Sequence, residues 1–168
     1  MWSKVKIFGH PIHPMLIAYP VALYTATLVG FAIFAATSDL FWLRFTIAVN
    51  VAGVVMAAIA AIPGFIDWAF GIPRETEAKS TGWKHMLFNV FSLALFTTAA
   101  IVYAGKWDGP ASTSPTLGLI LSGIGVLSTI TAGFYGWMLV QTHHVGVDMT
   151  DKQAELDREK ERRLQRAS

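Results

Sequence analysis

The sequence predicts an all-α polytopic membrane protein, a four-helix bundle followed by a charged cytoplasmic C-terminal helix. The chain of 168 residues is 54% hydrophobic and 14% charged, and its mean hydropathy is +0.48. Soluble domains contain about 25% charged residues. The second observation is that four long stretches lack Asp, Glu, Lys and Arg. Each is close to the length of about 20 apolar residues that a membrane-spanning helix needs.

The predicted spans cover about residues 15–36, 45–66, 86–103 and 116–140. Turn-forming residues Thr37, Ser38 and Asp39 end the first span. The first apolar run exceeds the hydrophobic region of a signal peptide and has no typical small-residue cleavage site, so we expect it to be retained as a helix.

An even number of spans places both termini and the connection 67–85 on the same side of the membrane. That side carries eleven of the thirteen basic residues, and the opposite side carries Arg44 and Lys106. Because basic loops stay in the cytoplasm, we expect the N and C termini to be cytoplasmic.

The composition changes after residue 147. Residues 1–147 form the predicted four-span domain, and residues 148–168 form a charged tail with six acidic and six basic side chains. The tail is typical of a solvated cytoplasmic helix. A helix that docks on a partner protein or on lipid headgroups is the alternative.

Several function classes are excluded by residues that the chain lacks. It has no cysteine, which rules out disulfides, thiolate metal sites and cysteine nucleophiles. The net charge of +2 and the lack of a basic patch argue against nucleic-acid binding. Neither a charge near the middle of a span nor an inverted repeat supports a channel or transporter.

All five histidines fall on the predicted cytoplasmic side, and so does Asp67 at the end of span 2. The histidines are His10, His13, His85, His143 and His144. Each of the four helices therefore brings a histidine or an aspartate to the same membrane level. Polar residues within membrane spans usually face the bundle interior and mark functional sites.

Helical spacing places further polar residues on the same faces. Asn89 follows His85 by one turn, and Tyr24 shares a face with His13. His143 continues a stripe of small residues, among them Gly125 and Gly136, which has room for a macrocycle. Two alternatives stay open: the stripe is a packing surface, and each single histidine is an ordinary interfacial residue.

Four motifs carry a resemblance to a family. They are Gly9-His10-Pro11-Ile12-His13-Pro14 before span 1, Gly64-Phe65-Ile66-Asp67 closing span 2, His85 with Asn89 opening span 3, and His143-His144-Val145-Gly146-Val147 after span 4. Together they resemble bacterial four-span membrane proteins of the domain of unknown function 2231 family, over about residues 8–147. The family pattern at the last motif is closer to His-Gly-Val-Gly-Val, so His144 departs from it.

The resemblance implies a protein of the bacterial inner (cytoplasmic) membrane whose activity is not established. Some relatives carry a fused Rieske-type iron–sulfur domain, and this association favours electron transfer.

The leading hypothesis is a redox-type membrane protein that binds haem b or a non-haem transition metal, iron or copper. The expected ligands are His13, His85 and His143, with His10 and Asp67 as further metal ligands. Asn89 and Tyr24 are expected to hydrogen-bond to the ligands and orient them.

The competing hypothesis is a cofactor-free structural or accessory subunit of a membrane complex, whose small-residue faces dock partner helices. Both hypotheses describe an electron-transfer or accessory protein rather than a stand-alone enzyme. Membrane lipids and a redox protein or membrane complex are the expected partners, and a homo-oligomer is compatible with both.

Overall fold

The computed structural model describes residues 3–110, 112–147 and 150–167. The fold is almost entirely helical, as predicted. In chain order it comprises β1 (Lys6–Ile7), β2 (His10–Pro11), α1 (Ile12–Leu16), α2 (Ala18–Thr37), α3 (Leu40–Ile66), a π-helical turn (Asp67–Gly71), α4 (Glu77–Ala104), α5 (Thr116–Gln141) and α6 (Asp151–Ala167).

Within the described residues, four helices are long and apolar enough to cross a membrane. They cover Ile12–Thr37, Leu40–Gly71, Glu77–Ala104 and Thr116–Gln141. Large apolar side chains point outward from all of them, including Ile62, Ile101, Leu127 and Ile130, which are each more than 60% exposed. A helix that is apolar on its outer as well as its inner face is typical of a membrane span.

The chain folds as two helical hairpins that pack side by side. Helix α2 packs on α3, and α4 packs on α5; the hairpins then meet through α2 with α5 and α3 with α4. A tight turn closes the first hairpin, where Ser38 adopts φ 53° and the Asp39 side chain caps α3 by accepting from the Phe41 amide. Phe31, Phe34, Leu43, Ile47 and Tyr103 form a buried apolar cluster between the hairpins.

The two hairpins make equivalent contacts at positions 72 residues apart, from which we infer that an approximate two-fold axis relates them. Aromatic rings from equivalent positions meet across this axis: Tyr24 stacks on Phe96 with ring centres 3.7 Å apart. Phe31 lies 4.7 Å from Tyr103. Each half contains two spans, so the repeats run in the same direction through the bundle, as parallel repeats do.

We call the end of the bundle at which the chain enters α1 and leaves α5 the terminal end. There the N-terminal segment forms a small antiparallel hairpin, with Lys6 opposite Pro11. Its turn has positive φ at Phe8 and Gly9. The carboxylate of Asp67 accepts hydrogen bonds from the Ser3 hydroxyl and from the amides of Lys4 and Val5. This carboxylate therefore ties the N-terminal segment to the end of α3.

Candidate functional site

His13 lies in α1 at the terminal end and packs directly on the backbone of α3. Its Nδ1 is 2.8 Å from the carbonyl oxygen of Ala60. A Cβ at Gly64 would lie 2.7 Å from the same ring nitrogen, a distance shorter than van der Waals contact allows. The imidazole reaches its acceptor because position 64 has no side chain.

His85 in α4 repeats this arrangement in the second hairpin. Its Nδ1 is 2.8 Å from the carbonyl oxygen of Ala132 in α5. A Cβ at Gly136 would lie 3.1 Å from the ring. Each histidine, its acceptor and its glycine are thus equivalent under the 72-residue relationship.

The two imidazoles face each other across the approximate two-fold axis. Their ring centres are 6.1 Å apart and their planes are perpendicular. A carbonyl oxygen can only accept a hydrogen bond, so the Nδ1 of each histidine carries a proton. In the neutral form of such a ring the lone pair is on Nε2. This is the tautomer in which histidine binds a metal through Nε2 while a backbone carbonyl orients the ring.

Asn89 contacts one histidine of the pair. Its side-chain nitrogen is 3.1 Å from His85 Nε2 and 2.9 Å from the His85 carbonyl oxygen. The equivalent position in the first hairpin is the apolar Ile17. The amide of Asn89 therefore makes the two imidazoles chemically different. It contacts Nε2 of His85, whereas the Ala132 carbonyl oxygen orients the ring at Nδ1.

The remaining predicted ligands have other partners. His143 Nε2 is 3.2 Å from the Thr81 hydroxyl, and the exposed His10 donates from Nδ1 to the Phe8 carbonyl oxygen. Asp67 binds the N-terminal segment. Across the described parts of the chain, no group of three or more His, Asp or Glu side chains has the spacing to hold a metal ion.

Tyr24 is buried against Phe96 and lies deeper in the bundle than the histidines. Eleven residues separate it from His13, which corresponds to about 16 Å along a helix. The stripe of small residues on α5 also has a packing role, because Gly125 lies against the Phe96 ring and Gly136 against His85.

The chain matches a family described as "Predicted membrane protein (DUF2231)" over residues 9–149. The chain belongs to the DUF2231 family. No curated protein and no solved structure matches it significantly.

In this DUF2231 protein, both paired histidines are among the three ligands that the sequence predicts, but the groups that hold them are not predicted. Ala60 and Ala132 contribute only backbone carbonyls, which no side-chain pattern indicates. Gly64 belongs to the motif that closes span 2, but nothing in the sequence predicts its contact with His13. One signal was available: a shift of 72 residues superimposes His13 on His85 and Gly64 on Gly136.

Proposed function

We propose that this DUF2231 protein is a redox-type membrane protein that binds a haem b through His13 and His85. The observation that carries the proposal is the pair of imidazoles, each held at Nδ1 by a backbone carbonyl so that Nε2 is the nitrogen left to bind a metal. In His85 this nitrogen accepts from the Asn89 amide, and a metal would have to replace that hydrogen bond. Second-sphere acceptors of this kind fix the ring orientation and raise the basicity of the ligand nitrogen.

The number of histidines favours a haem over a free metal ion. Zinc, copper(II) and non-haem iron take four or more ligands, which proteins supply from clusters of His, Cys, Asp and Glu. A haem brings four nitrogens of its own and takes its axial ligands from the protein. His13 and His85 would therefore be sufficient protein ligands for a haem, whereas two histidines are an incomplete set for a bare ion.

The two ring centres are 6.1 Å apart and their planes are perpendicular, so His13 and His85 are the two histidines that would hold the haem together. A bound haem would supply one-electron transfer, and the chain supplies the ligands, their orientation and an apolar surrounding.

We further propose that the site lies on the cytoplasmic side of a bacterial inner membrane and exchanges electrons with a redox protein or membrane complex. The distribution of basic residues supports this orientation. Lys4, Lys6, Lys79 and Lys84 lie at the terminal end of the bundle, and Arg44 and Lys106 lie at the other.

The test is a dithionite-reduced minus oxidised visible spectrum of the purified protein after haem-replete expression, with elemental analysis of the same sample. We expect the bands of a six-coordinate b-type haem, which His13→Ala and His85→Ala abolish. His143→Ala is the matched control, because this histidine lies at the same end of the bundle and contacts Thr81 instead.

Three results would contradict the proposal in different ways. Stoichiometric metal without haem bands would identify a non-haem centre. Bands that persist in both His13→Ala and His85→Ala would place the haem elsewhere. A colourless and metal-free protein would favour the cofactor-free accessory subunit.

A further inference from the structure

Three polar side-chain atoms in the interior of the bundle have no hydrogen-bond partner among the described residues. They are the Tyr24 hydroxyl, the Thr46 hydroxyl and the side-chain oxygen of Asn50. These residues are 3%, 0% and 1% exposed. Buried polar groups in proteins are almost always hydrogen-bonded, so three unpaired polar atoms in one small core require an explanation.

The three residues occupy one region of the core. Thr46 and Asn50 are one turn apart on the same face of α3. The Asn50 amide nitrogen donates to the Phe96 carbonyl oxygen at 3.3 Å, and the Phe96 ring stacks on Tyr24. The Tyr24 ring also lies against Gly53, which follows Asn50 by three residues on α3. Tyr24 and Asn50 therefore share the neighbour Phe96, and the Thr46 hydroxyl lies one turn from Asn50, against Gly30 of α2.

Other buried polar groups of the bundle are satisfied within the protein. The Ser122 hydroxyl donates to the Gly118 carbonyl oxygen, and the Ser92 hydroxyl donates to that of Gly125. The Tyr103 hydroxyl donates to the Ser114 carbonyl oxygen and accepts from the Gly118 amide. Missing partners are thus a property of the Tyr24 region and not of buried hydroxyls in this bundle generally.

The two-fold relationship leads to the same conclusion. The positions equivalent to Tyr24, Thr46 and Asn50 are Phe96, Gly118 and Ser122. The second hairpin thus has either no polar side chain there or one with a partner. Within the part of the chain that the structure describes, unpaired buried side-chain atoms at this level therefore belong to the first hairpin alone.

We propose that ordered water occupies the core beside Tyr24, Thr46 and Asn50 and hydrogen-bonds to their unpaired atoms. The phenol has a proton to donate, the Asn50 oxygen accepts, and the Thr46 hydroxyl does both. No charged residue belongs to the group, so the complementary ligand is small and neutral, with both donors and acceptors. Water has this chemistry, and it fills polar sites of this kind in protein interiors.

This water site is distinct from the histidine pair. Tyr24 and His13 lie on the same α1–α2 segment, about 16 Å apart along the helix axis. The site places a hydrated polar layer deep within the membrane-spanning part of the bundle. It stands whether or not the histidines bind a haem.

Radiolytic hydroxyl labelling of the full-length protein in lipid nanodiscs tests the proposal. Radicals form from water at the site of irradiation, so a buried side chain beside ordered water is oxidised while a buried side chain in a dry core is not. Tyr103 is the internal control, because it is equally buried and its hydroxyl is paired within the protein. We expect Tyr24 to be labelled several-fold faster than Tyr103; equal rates would overturn the proposal.

A second measurement uses the thermal unfolding midpoints of Tyr24→Phe and Tyr103→Phe. Removing a hydroxyl that has a partner lowers stability, whereas removing a buried hydroxyl without one leaves stability unchanged or raises it. We expect both variants to unfold at a lower temperature than the wild type. A midpoint for Tyr24→Phe at or above the wild-type value would show a dry core and refute the inference.

Discussion

Replacing Gly64 with alanine places a methyl group where the His13 imidazole now lies. The added Cβ would be 2.7 Å from both Nδ1 and Cε1 of the ring. Backbone packing holds the glycine in α3, so the imidazole has to move. Movement of the ring away from α3 breaks its hydrogen bond to the Ala60 carbonyl oxygen.

Three contributions determine how much Gly64→Ala changes the free energy of unfolding. Overpacking a well-packed site costs about 1–3 kcal/mol, and loss of the hydrogen bond costs about 0.5–1.5 kcal/mol. The greater helix propensity of alanine returns up to about 1 kcal/mol. We expect Gly64→Ala to reduce the free energy of unfolding by about 0.5–4.5 kcal/mol.

A graded series of glycine substitutions provides the controls. A Cβ at Gly136 would be 3.1 Å from His85, so a small shift accommodates it and the cost is smaller; a Cβ at Gly123 meets nothing within 4 Å. Gly123→Ala is therefore expected to leave stability unchanged or to raise it. Unfolding in detergent micelles, followed by circular dichroism, measures all three variants.

A double-mutant cycle isolates the contact itself. In a His13→Ala background the imidazole is gone, so adding Gly64→Ala should cost little or nothing. A Gly64→Ala variant as stable as Gly123→Ala, or one whose cost persists without the imidazole, would refute the proposed packing of His13 on α3.

Three further predictions concern the ends of the bundle. Asp67→Asn should weaken the attachment of the N-terminal segment by about 1–3 kcal/mol and accelerate tryptic cleavage at its lysines, whereas Asp39→Asn should leave cleavage unchanged. Lys79 donates to the carbonyl oxygens of Trp68, Ala69 and Ile72. Lys79→Met should therefore lower the unfolding midpoint more than Lys84→Met. Equal effects of the two substitutions would argue that these three hydrogen bonds do not stabilise the fold. Arg44→Ala breaks an ion pair with Asp108 whose side chains are 45% and 85% exposed; stability should fall by less than about 1 kcal/mol, and a larger loss would contradict a solvated pair.

Helical spacing predicted which side chains of the site share a helix face. It placed His85 and Asn89 on one face, and they are hydrogen-bonded. It also placed Tyr24 on the face of His13. Spacing defines the direction of a side chain around its own helix and the height of that side chain, but not which neighbour it meets. The sequence therefore left open which of the five histidines form the pair.

The sequence does not show which nearby polar groups hydrogen-bond to the predicted ligands. Asp67 lies at the same end of the bundle as the histidines, but its carboxylate accepts hydrogen bonds from backbone amides of the N-terminal segment. His143 likewise has a hydroxyl within reach on α4. Such partners depend on loop paths and helix separation, which have no periodic signal in the sequence.

Membrane insertion and the number of spans were determined by the sequence alone, because the transfer of an apolar segment into lipid depends on its own length and composition. The pairing of His13 with His85 was decided only in the tertiary structure. Two glycines let the imidazoles approach neighbouring backbones, and the packing of two similar hairpins brings the rings to one axis. These contacts join residues 47 and 72 positions apart, so they exist only once the helices have packed.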